Sequence, residues 1–390
     1  MINNRKTILV TNIMSPYRIA TFNQLASKYG KAFKVVFCKQ NDHYRKWKLS
    51  ERDQLKFDFC VLNDFSIKLK NWEIHLANGL LSELIREKPF LVITEGFGFP
   101  TIFSFLYASI FDRKLILFSA ETQHVAESYS RFRYLLRKLM VRNAQGFIAT
   151  GTQAKEYLVS LKAPEEKIFL SYFSIDPELL GLDTNSVAET KKHSEEPKRI
   201  LYVGKFTERK RVDLLISAFR QVKKRLPNSE LWLVGEGEEE EKLKKLSQET
   251  KDIFFEGHKQ YGELLPYYLN SDLFVLPTLK DIWGLVVNEA MMCGLPVICS
   301  KYAGCCQDLI KQGENGLIVD PENPKELSEA ISQLLSKDGN LSRFGRRSRE
   351  IIKDFTTERT TGGFIRAIES VASSRNSGSV GRKDAKERIL

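Results

Sequence analysis

The stretch from Leu273 to Cys299 contains a predicted helix start, which suits an anionic ligand, and an acidic residue on either side of it. A short apolar run ends at Pro277, a loop follows, and a second apolar run with helical periodicity begins just after Gly284. The first turn of a helix presents unpaired backbone N–H groups and the positive end of the helix dipole. We therefore predict a phosphate site formed by Gly284, Leu285 and Val286.

Two carboxylates, Asp281 and Glu289, lie on either side of this predicted phosphate site. Neither would help to hold a phosphate, so each is expected to accept hydrogen bonds from hydroxyl groups of a ligand. Glu289 taken alone is equally compatible with a helix-start carboxylate that the dipole favours.

The elements that must position these residues are strands alternating with helices. Apolar runs of strand length separate segments of helical period, at residues 7–11, 33–38, 90–94, 115–119, 146–150, 199–204, 230–235, 253–257, 273–277, 296–300 and 316–320. This alternation predicts an α/β fold with parallel sheets covered by helices on both faces. Ligands in such folds bind outside the carboxyl ends of the strands.

We predict two Rossmann-like, doubly wound domains that face a cleft. The N-terminal domain is predicted at 1–182, a polar linker at 183–198 and the C-terminal domain at 199–340. C-terminal helices are predicted at 341–373, and a disordered tail at 374–390.

Composition narrows the class of protein further. The chain has 390 residues, 42% of them hydrophobic, and a formal net charge of +11, which favours an anionic partner. Six cysteines without any C-x-x-C pair favour reduced thiols and a cytoplasmic location. The sequence has neither a P-loop nor a full dinucleotide fingerprint, so a nicotinamide enzyme is not expected.

The run from Glu289 to Val297, EAMMCGLPV, resembles the signature of the GT-B glycosyltransferases of family 4, which are retaining nucleotide-sugar transferases. Two acidic residues separated by seven positions mark that family, and here Asp281 takes the first position in place of Glu. The resemblance implies that Glu289 binds the ribose of the donor and that Asp281 orients its sugar.

Other loops extend the resemblance over about residues 200 to 335. The run VGKFTERK, from Val203 onwards, is similar to a family loop in which two basic residues grip the diphosphate. It implies that role for Lys205 and Lys210, with Gly204 close to the donor. The loops that contain Gly235 and His258 resemble those that surround the nucleoside.

The N-terminal half matches the family less closely. Arg18, at the start of the first helix, is predicted to contact the donor in place of the glycines of many relatives. His124 follows an apolar strand at a position where a number of relatives carry a functional histidine, and Glu121 lies beside it. A structural hydrogen bond is the alternative role for His124.

The resemblance implies a retaining glycosyltransferase of hexosyltransferase type, acting in polysaccharide biosynthesis. It would move a sugar from a nucleoside diphosphate donor to a glycan or lipid-linked acceptor, with no metal and no further cofactor. Nucleic acid is not expected as a partner. A nucleotide-sugar epimerase of the same fold and a non-catalytic basic binding protein are the alternatives.

A basic segment, residues 131–142, suggests peripheral attachment to a membrane. It sets five basic residues among five large apolar ones, as in helices that lie on anionic lipid. Residues 1–195 contain 28 Lys and Arg against 20 Asp and Glu, so most of the net positive charge belongs to the N-terminal half. The resemblance implies that this half binds the acceptor and that the domain at 199–340 binds the nucleotide sugar. A helix packed on the core with a basic outer face is the alternative.

Overall fold

The computed structural model of the protein describes residues 5–39, 55–62, 66–69, 72–75, 79–183, 196–336 and 338–374. The predicted linker lies largely outside these described residues, as does all but the first residue of the predicted tail. The domain boundaries stay predictions.

The first sheet has the strand order β3-β2-β1-β6-β7-β8-β9, and all of its pairings are parallel. The elements of this part of the chain, which include a separate two-stranded antiparallel sheet of β4 and β5, are β1 (Thr7–Thr11), α1 (Pro16–Tyr29), β2 (Phe33–Phe37), β3 (Asp58–Val61), β4 (Ser66–Leu69), β5 (Trp72–His75), α2 (Leu80–Glu87), β6 (Leu91–Glu95), α3 (Phe99–Ile110), β7 (Lys114–Ser119), α4 (Gln123–Ala126), α5 (Arg131–Asn143), β8 (Gly146–Ala149), α6 (Thr152–Ser160) and β9 (Ile168–Leu170).

The second sheet has the order β12-β11-β10-β13-β14-β15 and is also parallel. It is built from β10 (Lys198–Val203), α7 (Val212–Arg225), β11 (Ser229–Val234), α8 (Glu240–Ser247), β12 (Ile253–Gly257), α9 (Tyr261–Leu269), β13 (Leu273–Leu276), α10 (Leu285–Met292), β14 (Val297–Ser300), α11 (Cys306–Leu309) and β15 (Gly316–Val319), followed by α12 (Pro324–Leu335), α13 (Asp338–Ile352) and α14 (Thr357–Ser373). The predicted doubly wound α/β class is confirmed.

The strand order of the second sheet reverses between β10 and β13. The chain runs outward from β10 to β12 and then returns to the other side of β10. Ligands of doubly wound sheets bind at such a switch point, because the two neighbouring loops diverge there and leave a crevice.

The first sheet is covered on both faces. All five residues of β1 are buried, and alternate strand residues belong to two separate cores. One core contains side chains of α1 and α14, and the other contains side chains of α2, α3, α5 and α6. Burial on both faces explains why the central strands are continuously apolar in sequence.

The strands that sequence patterning missed lie outside the centre of the first sheet. β3 is an edge strand whose residues are all at least partly exposed, and β9, at the other edge, has only three residues. β3 contains the charged Asp58 and β9 is only three residues long, so neither presents an apolar run of the length that central strands have.

The last helix returns to the first domain. The predicted helices of 341–373 are present as α13 and α14, and α14 packs against α1 and the strands β7, β8 and β9. The ring of Phe364 lies 5.1 Å from that of Phe118, and the Ser171 hydroxyl donates to the Thr360 carbonyl oxygen at 2.8 Å. The chain therefore crosses between the domains twice.

Two adjacent glycines of α14 test this docking. A Cβ on Gly363 would lie 2.3 Å from the Leu170 carbonyl oxygen, whereas on Gly362 its nearest neighbour is the flexible end of Arg366, at 3.3 Å. We expect Gly363→Ala to destabilise the protein by about 1–3 kcal/mol. Gly362→Ala should leave the free energy of unfolding unchanged or raise it by at most about 1 kcal/mol, because alanine favours the helix. Thermal melting compares the two variants, and equal melting temperatures would contradict this packing.

Candidate active site at the switch point of the second sheet

The loops that follow β10, β11, β12 and β13 meet at the switch point of the second sheet. Hydrogen bonds join them in order: the Gly204 N–H donates to the Val234 carbonyl oxygen and the Gly235 N–H to that of Gly257, both at 2.9 Å. On the other side of β10, the Leu279 N–H donates to the Arg209 carbonyl oxygen at 2.8 Å. Apart from Arg18, the residues predicted to bind the donor therefore lie along one edge of the second sheet.

Lys210 and Asp281 form a buried ion pair across the switch point. The Lys210 Nζ lies 2.5 Å from the Asp281 Oδ2, and the Trp283 N–H donates to Oδ1 at 3.3 Å. Burial alone would raise the pKa of Asp281, but the charge of Lys210 outweighs this effect and holds the pKa below its ordinary value. Asp281 is therefore a carboxylate with both oxygens engaged.

The helix start predicted for phosphate binding is present. α10 begins at Leu285, and Gly284 precedes it with φ of 102°, in the left-handed region that favours glycine. A Cβ at Gly284 would lie 2.9 Å from the Leu276 side chain and 3.8 Å from the Asp281 Oδ2. Glycine at this position thus keeps the first turn of α10 close to the ion pair.

Glu289 lies within the same helix and is buried. Its Oε2 accepts a hydrogen bond from the Tyr268 hydroxyl at 2.6 Å. Burial raises the pKa of Glu289 to about 7, although the hydrogen bond from Tyr268 acts in the opposite direction. Tyr268 belongs to α9, 21 residues upstream, and no sequence pattern pairs it with Glu289.

The glycine-containing loops pack closely around this edge. A Cβ at Gly235 would lie only 1.9 Å from the Gly204 carbonyl oxygen, so the loops after β10 and β11 touch through their backbones. The Tyr202 hydroxyl donates to the Lys205 carbonyl oxygen at 2.9 Å and fixes the turn that carries Lys205. His258 is exposed, and its Nε2 lies 3.2 Å from the side-chain amide nitrogen of Gln260.

Arg18 lies at the carboxyl edge of the first sheet and is paired within its own domain. Its guanidinium makes two contacts with the Glu95 carboxylate, at 2.5 and 2.6 Å, and one with the Thr11 hydroxyl at 3.1 Å. Arg18 therefore neutralises Glu95, and its contact with a donor stays a prediction.

His124 and Glu121 have different surroundings. The His124 ring stacks on Tyr302 of the second domain, with centroids 4.1 Å apart, and its Nδ1 lies 3.3 Å from Glu127. Glu121 is bound by the guanidinium of Arg137 through both of its oxygens. Burial raises the pKa of Glu121 despite that charge. A catalytic role for His124 stays a prediction.

A contact that the sequence analysis missed joins the two domains through α6. Asp308 accepts from both the backbone N–H and the hydroxyl of Thr152, at 2.9 and 2.6 Å. Asp308 thus supplies a carboxylate to the positive end of α6 from the opposite domain.

A second missed contact joins the domains beside α10. The Trp283 Nε1 donates to Asn288 at 2.9 Å, and the Asn288 amide donates to the Phe173 carbonyl oxygen at 3.1 Å. The only sequence signal for such contacts is the presence of a large aromatic and an amide residue beside the binding motif.

In the part of the chain that the structure describes, no group of three or more His, Cys, Asp or Glu is arranged to hold a metal ion. Each described helix is too short or too polar to cross a bilayer.

The chain is similar in sequence and in fold to known glycosyltransferases. Residues 184–351 match the family model "Glycosyl transferases group 1". An uncharacterized glycosyltransferase of Haemophilus influenzae is 26% identical, over 64% of this chain and 72% of its own length. The capsular polysaccharide biosynthesis glycosyltransferase CapM of Staphylococcus aureus is 26% identical, over 77% and 79%. The crystal structure of Anabaena HepE in complex with UDP superposes with a TM-score of 0.72 at 16% identity, over 94% of this chain and 100% of HepE.

The raised pKa of Glu289 predicts a pH-dependent stability. Between about pH 4.5 and 7 the Glu289 carboxyl stays protonated in the folded state but is ionised in the unfolded state. The contribution of Glu289 to the free energy of unfolding therefore falls as pH rises through that window. Glu289→Gln removes the buried charge and should stabilise the protein more at about pH 8 than at about pH 5, by at most about 3 kcal/mol. Thermal melting at both pH values measures the difference. Glu256→Gln, which alters the partner of Tyr267, should show no such trend, and a pH-independent effect of Glu289→Gln would refute the assignment.

Proposed function

We propose that the protein is a retaining glycosyltransferase, because residues 184–351 match the family model of the glycosyl transferases group 1 and the chain has the α/β fold of GT-B glycosyltransferases. It transfers a sugar from a nucleoside diphosphate to a glycan or lipid-linked acceptor. The observation that carries this proposal is the Lys210–Asp281 pair beside the first turn of α10. There a cation, helix N–H groups and a sugar-orienting carboxylate meet at one switch point.

The diphosphate binds at the start of α10. Cleavage of the donor builds negative charge on the leaving phosphate, and fixed positive groups lower that barrier. The N–H groups after Gly284 and the side chains of Lys205 and Lys210 supply the positive charge. Lys205 takes a position where the family more often has arginine, and it holds phosphate as a point charge, without the two-pronged geometry of a guanidinium.

Two carboxylates recognise the sugars of the donor. Glu289 accepts hydrogen bonds from the ribose hydroxyls, exchanging its Tyr268 contact for, or sharing it with, the ligand. Asp281, held by Lys210 and the Trp283 N–H, accepts from a hydroxyl of the transferred sugar. The UDP bound in HepE supports a nucleoside diphosphate in this fold.

The configuration at the sugar C1 is retained because the acceptor oxygen attacks the same face from which the phosphate leaves. The bond between the sugar C1 and the phosphate oxygen breaks, the acceptor oxygen bonds to C1, and the departing phosphate oxygen takes the acceptor proton. Asp281 is a poor nucleophile because both of its oxygens are already engaged. The first domain holds the acceptor, with His124 and Arg18 on its side of the cleft.

Ligand binding and turnover together test this proposal. UDP, GDP, ADP and their sugar conjugates are screened by thermal shift. A ligand that binds, at about 100 times its dissociation constant, should add roughly 2.7 kcal/mol to the free energy of unfolding. With the donor so identified, NMR should show that the sugar first released to water keeps the donor's anomeric configuration. Initial release of the opposite anomer would exclude retention. Interconversion of free nucleotide sugars would identify an epimerase, and the absence of both binding and turnover a non-catalytic protein.

The two lysines should be essential for turnover. We expect Lys205→Ala and Lys210→Ala each to slow nucleoside diphosphate release by about 10²- to 10³-fold, as expected for loss of one charge-stabilising donor. Lys223→Ala, which breaks a surface pair with Asp252 on the same domain, is the matched control with near-normal rates.

Removal of Lys210 also leaves Asp281 buried without its counter-ion, which costs about 3–5 kcal/mol. Melting curves must therefore accompany the kinetics. The double variant Lys210→Ala with Asp281→Asn should recover stability without recovering turnover. Normal turnover in both single variants would show that the lysines do not act on the phosphate.

The two carboxylates should differ in kinetics. Glu289→Gln should mainly raise KM for the donor, because a ribose contact is made equally in the ground and transition states. Asp281→Asn should mainly lower kcat, because Asp281 orients the reacting sugar. Steady-state kinetics with varied donor concentration separate the two effects, and the reverse assignment would overturn the proposed roles.

A further inference from the structure

We infer that the outer surface of α3 and α5 docks on an anionic lipid bilayer. This surface, the outer face, is formed by Leu106, Ile110 and Phe111 at the end of α3 and by Phe132, Leu135 and Leu139 on α5. Both helices bury their inner sides in the same core of the first sheet, so their outer sides are presented on one side of that domain.

α5 exposes its apolar residues. Phe132 is 74% exposed, Leu135 63% and Leu139 50%. Their spacing of three and four residues places them in one row along the helix. The inner side of α5 is already occupied by Met140 and Val141, which are buried. α5 therefore packs on the core through its inner side and exposes both apolar and basic residues on its outer side.

α3 adds a second apolar surface. The helix from Phe99 to Ile110 contains no charged residue, and Tyr107 and Ala108 bury its inner side. On the other side, Ile110 is 66% exposed, next to the exposed Leu106 and Phe111. An uncharged outer surface on a domain otherwise rich in charge indicates a contact with an apolar phase.

The charges around the outer face specify an anionic partner. Arg131, Lys138 and Arg142 are exposed, and their spacing of seven and four residues sets them in a row beside the apolar one. α5 contains no acidic residue. The remaining basic residues of the helix, Arg133 and Arg137, lie against the Tyr129 ring, so they are not part of that row.

This combination favours lipid over other partners. Two copies pairing through the same face would bring their basic rows together, so the charge opposes a symmetric dimer. Nucleic acid would meet the basic row but would leave large aliphatic side chains against a phosphate backbone. A bilayer with anionic headgroups matches both rows at once, because apolar side chains enter the interface while cations remain with the headgroups.

The outer face is connected to the cleft. Arg137, the buried cation of α5, binds Glu121 in the loop after β7 and donates to the Tyr157 hydroxyl at 2.7 Å. The next residues of that loop lead to His124, which stacks on the second domain. Attachment does not require the proposed transfer reaction. If that reaction holds, the bilayer lies beside the acceptor half of the cleft, as a lipid-linked acceptor requires.

Vesicle flotation tests the inference with the full chain. The native protein should float with phosphatidylcholine vesicles that contain phosphatidylglycerol, and much less with pure phosphatidylcholine. Arg131→Gln, Lys138→Gln and Arg142→Gln together should weaken binding about 100-fold, at about 1 kcal/mol per basic residue near anionic lipid. Binding of the native protein should also weaken as added salt screens the attraction.

A charge-matched control uses the other domain. Arg343→Gln, Arg346→Gln and Lys353→Gln also remove three exposed charges but should leave flotation unchanged. Phe132→Gln, Leu135→Gln and Leu139→Gln together should abolish it while melting and nucleotide binding stay normal. Equal loss in both charge variants, or no flotation of the native protein, would overturn the inference. The inference would also be overturned if the native protein formed dimers that the apolar variant disrupts, or if it bound duplex DNA in preference to anionic vesicles.

Discussion

The ion pair of Lys210 and Asp281 joins the two loops between which the order of the second sheet reverses. Removing one partner of a largely buried pair leaves the other charge uncompensated, and here the Trp283 N–H also donates to the Asp281 carboxylate. The pair therefore places a cation, a carboxylate and the first turn of α10 in fixed positions relative to one another. A diphosphate at that turn would meet Lys210 already oriented, so little of the binding energy is lost in ordering the side chain.

The same loop also couples the site to the geometry of the two domains. Trp283 immediately precedes Gly284, and its indole is linked through Asn288 to the Phe173 backbone. On the other side of the cleft, Asp308 caps α6 of the first domain. A change in the angle between the domains would therefore disturb both the start of α10 and the acceptor side. We expect the proposed donor and acceptor sites to respond to each other for this reason.

Sequence patterning predicted the parts of this site that depend on local order. The central strands, the start of α10 and the loops carrying Lys205, Lys210 and Asp281 follow from apolar runs and turn residues within short windows. Side-chain pairing across long separations did not follow. The contact of Glu289 with Tyr268, that of Arg18 with Glu95 and the return of α14 to the first sheet all depend on tertiary packing. Residues 131–142 show the same limit, because periodicity identified an amphipathic helix but not which side faced the core.

A crystal structure with the most tightly bound nucleoside diphosphate tests the central claim most directly. We predict that the β-phosphate lies within hydrogen-bonding distance of the backbone N–H groups of Leu285 or Val286 and of the Lys210 Nζ, with the ribose against Glu289. A nucleotide bound elsewhere in the cleft, or a phosphate that leaves Lys210 in contact with Asp281 alone, would contradict it.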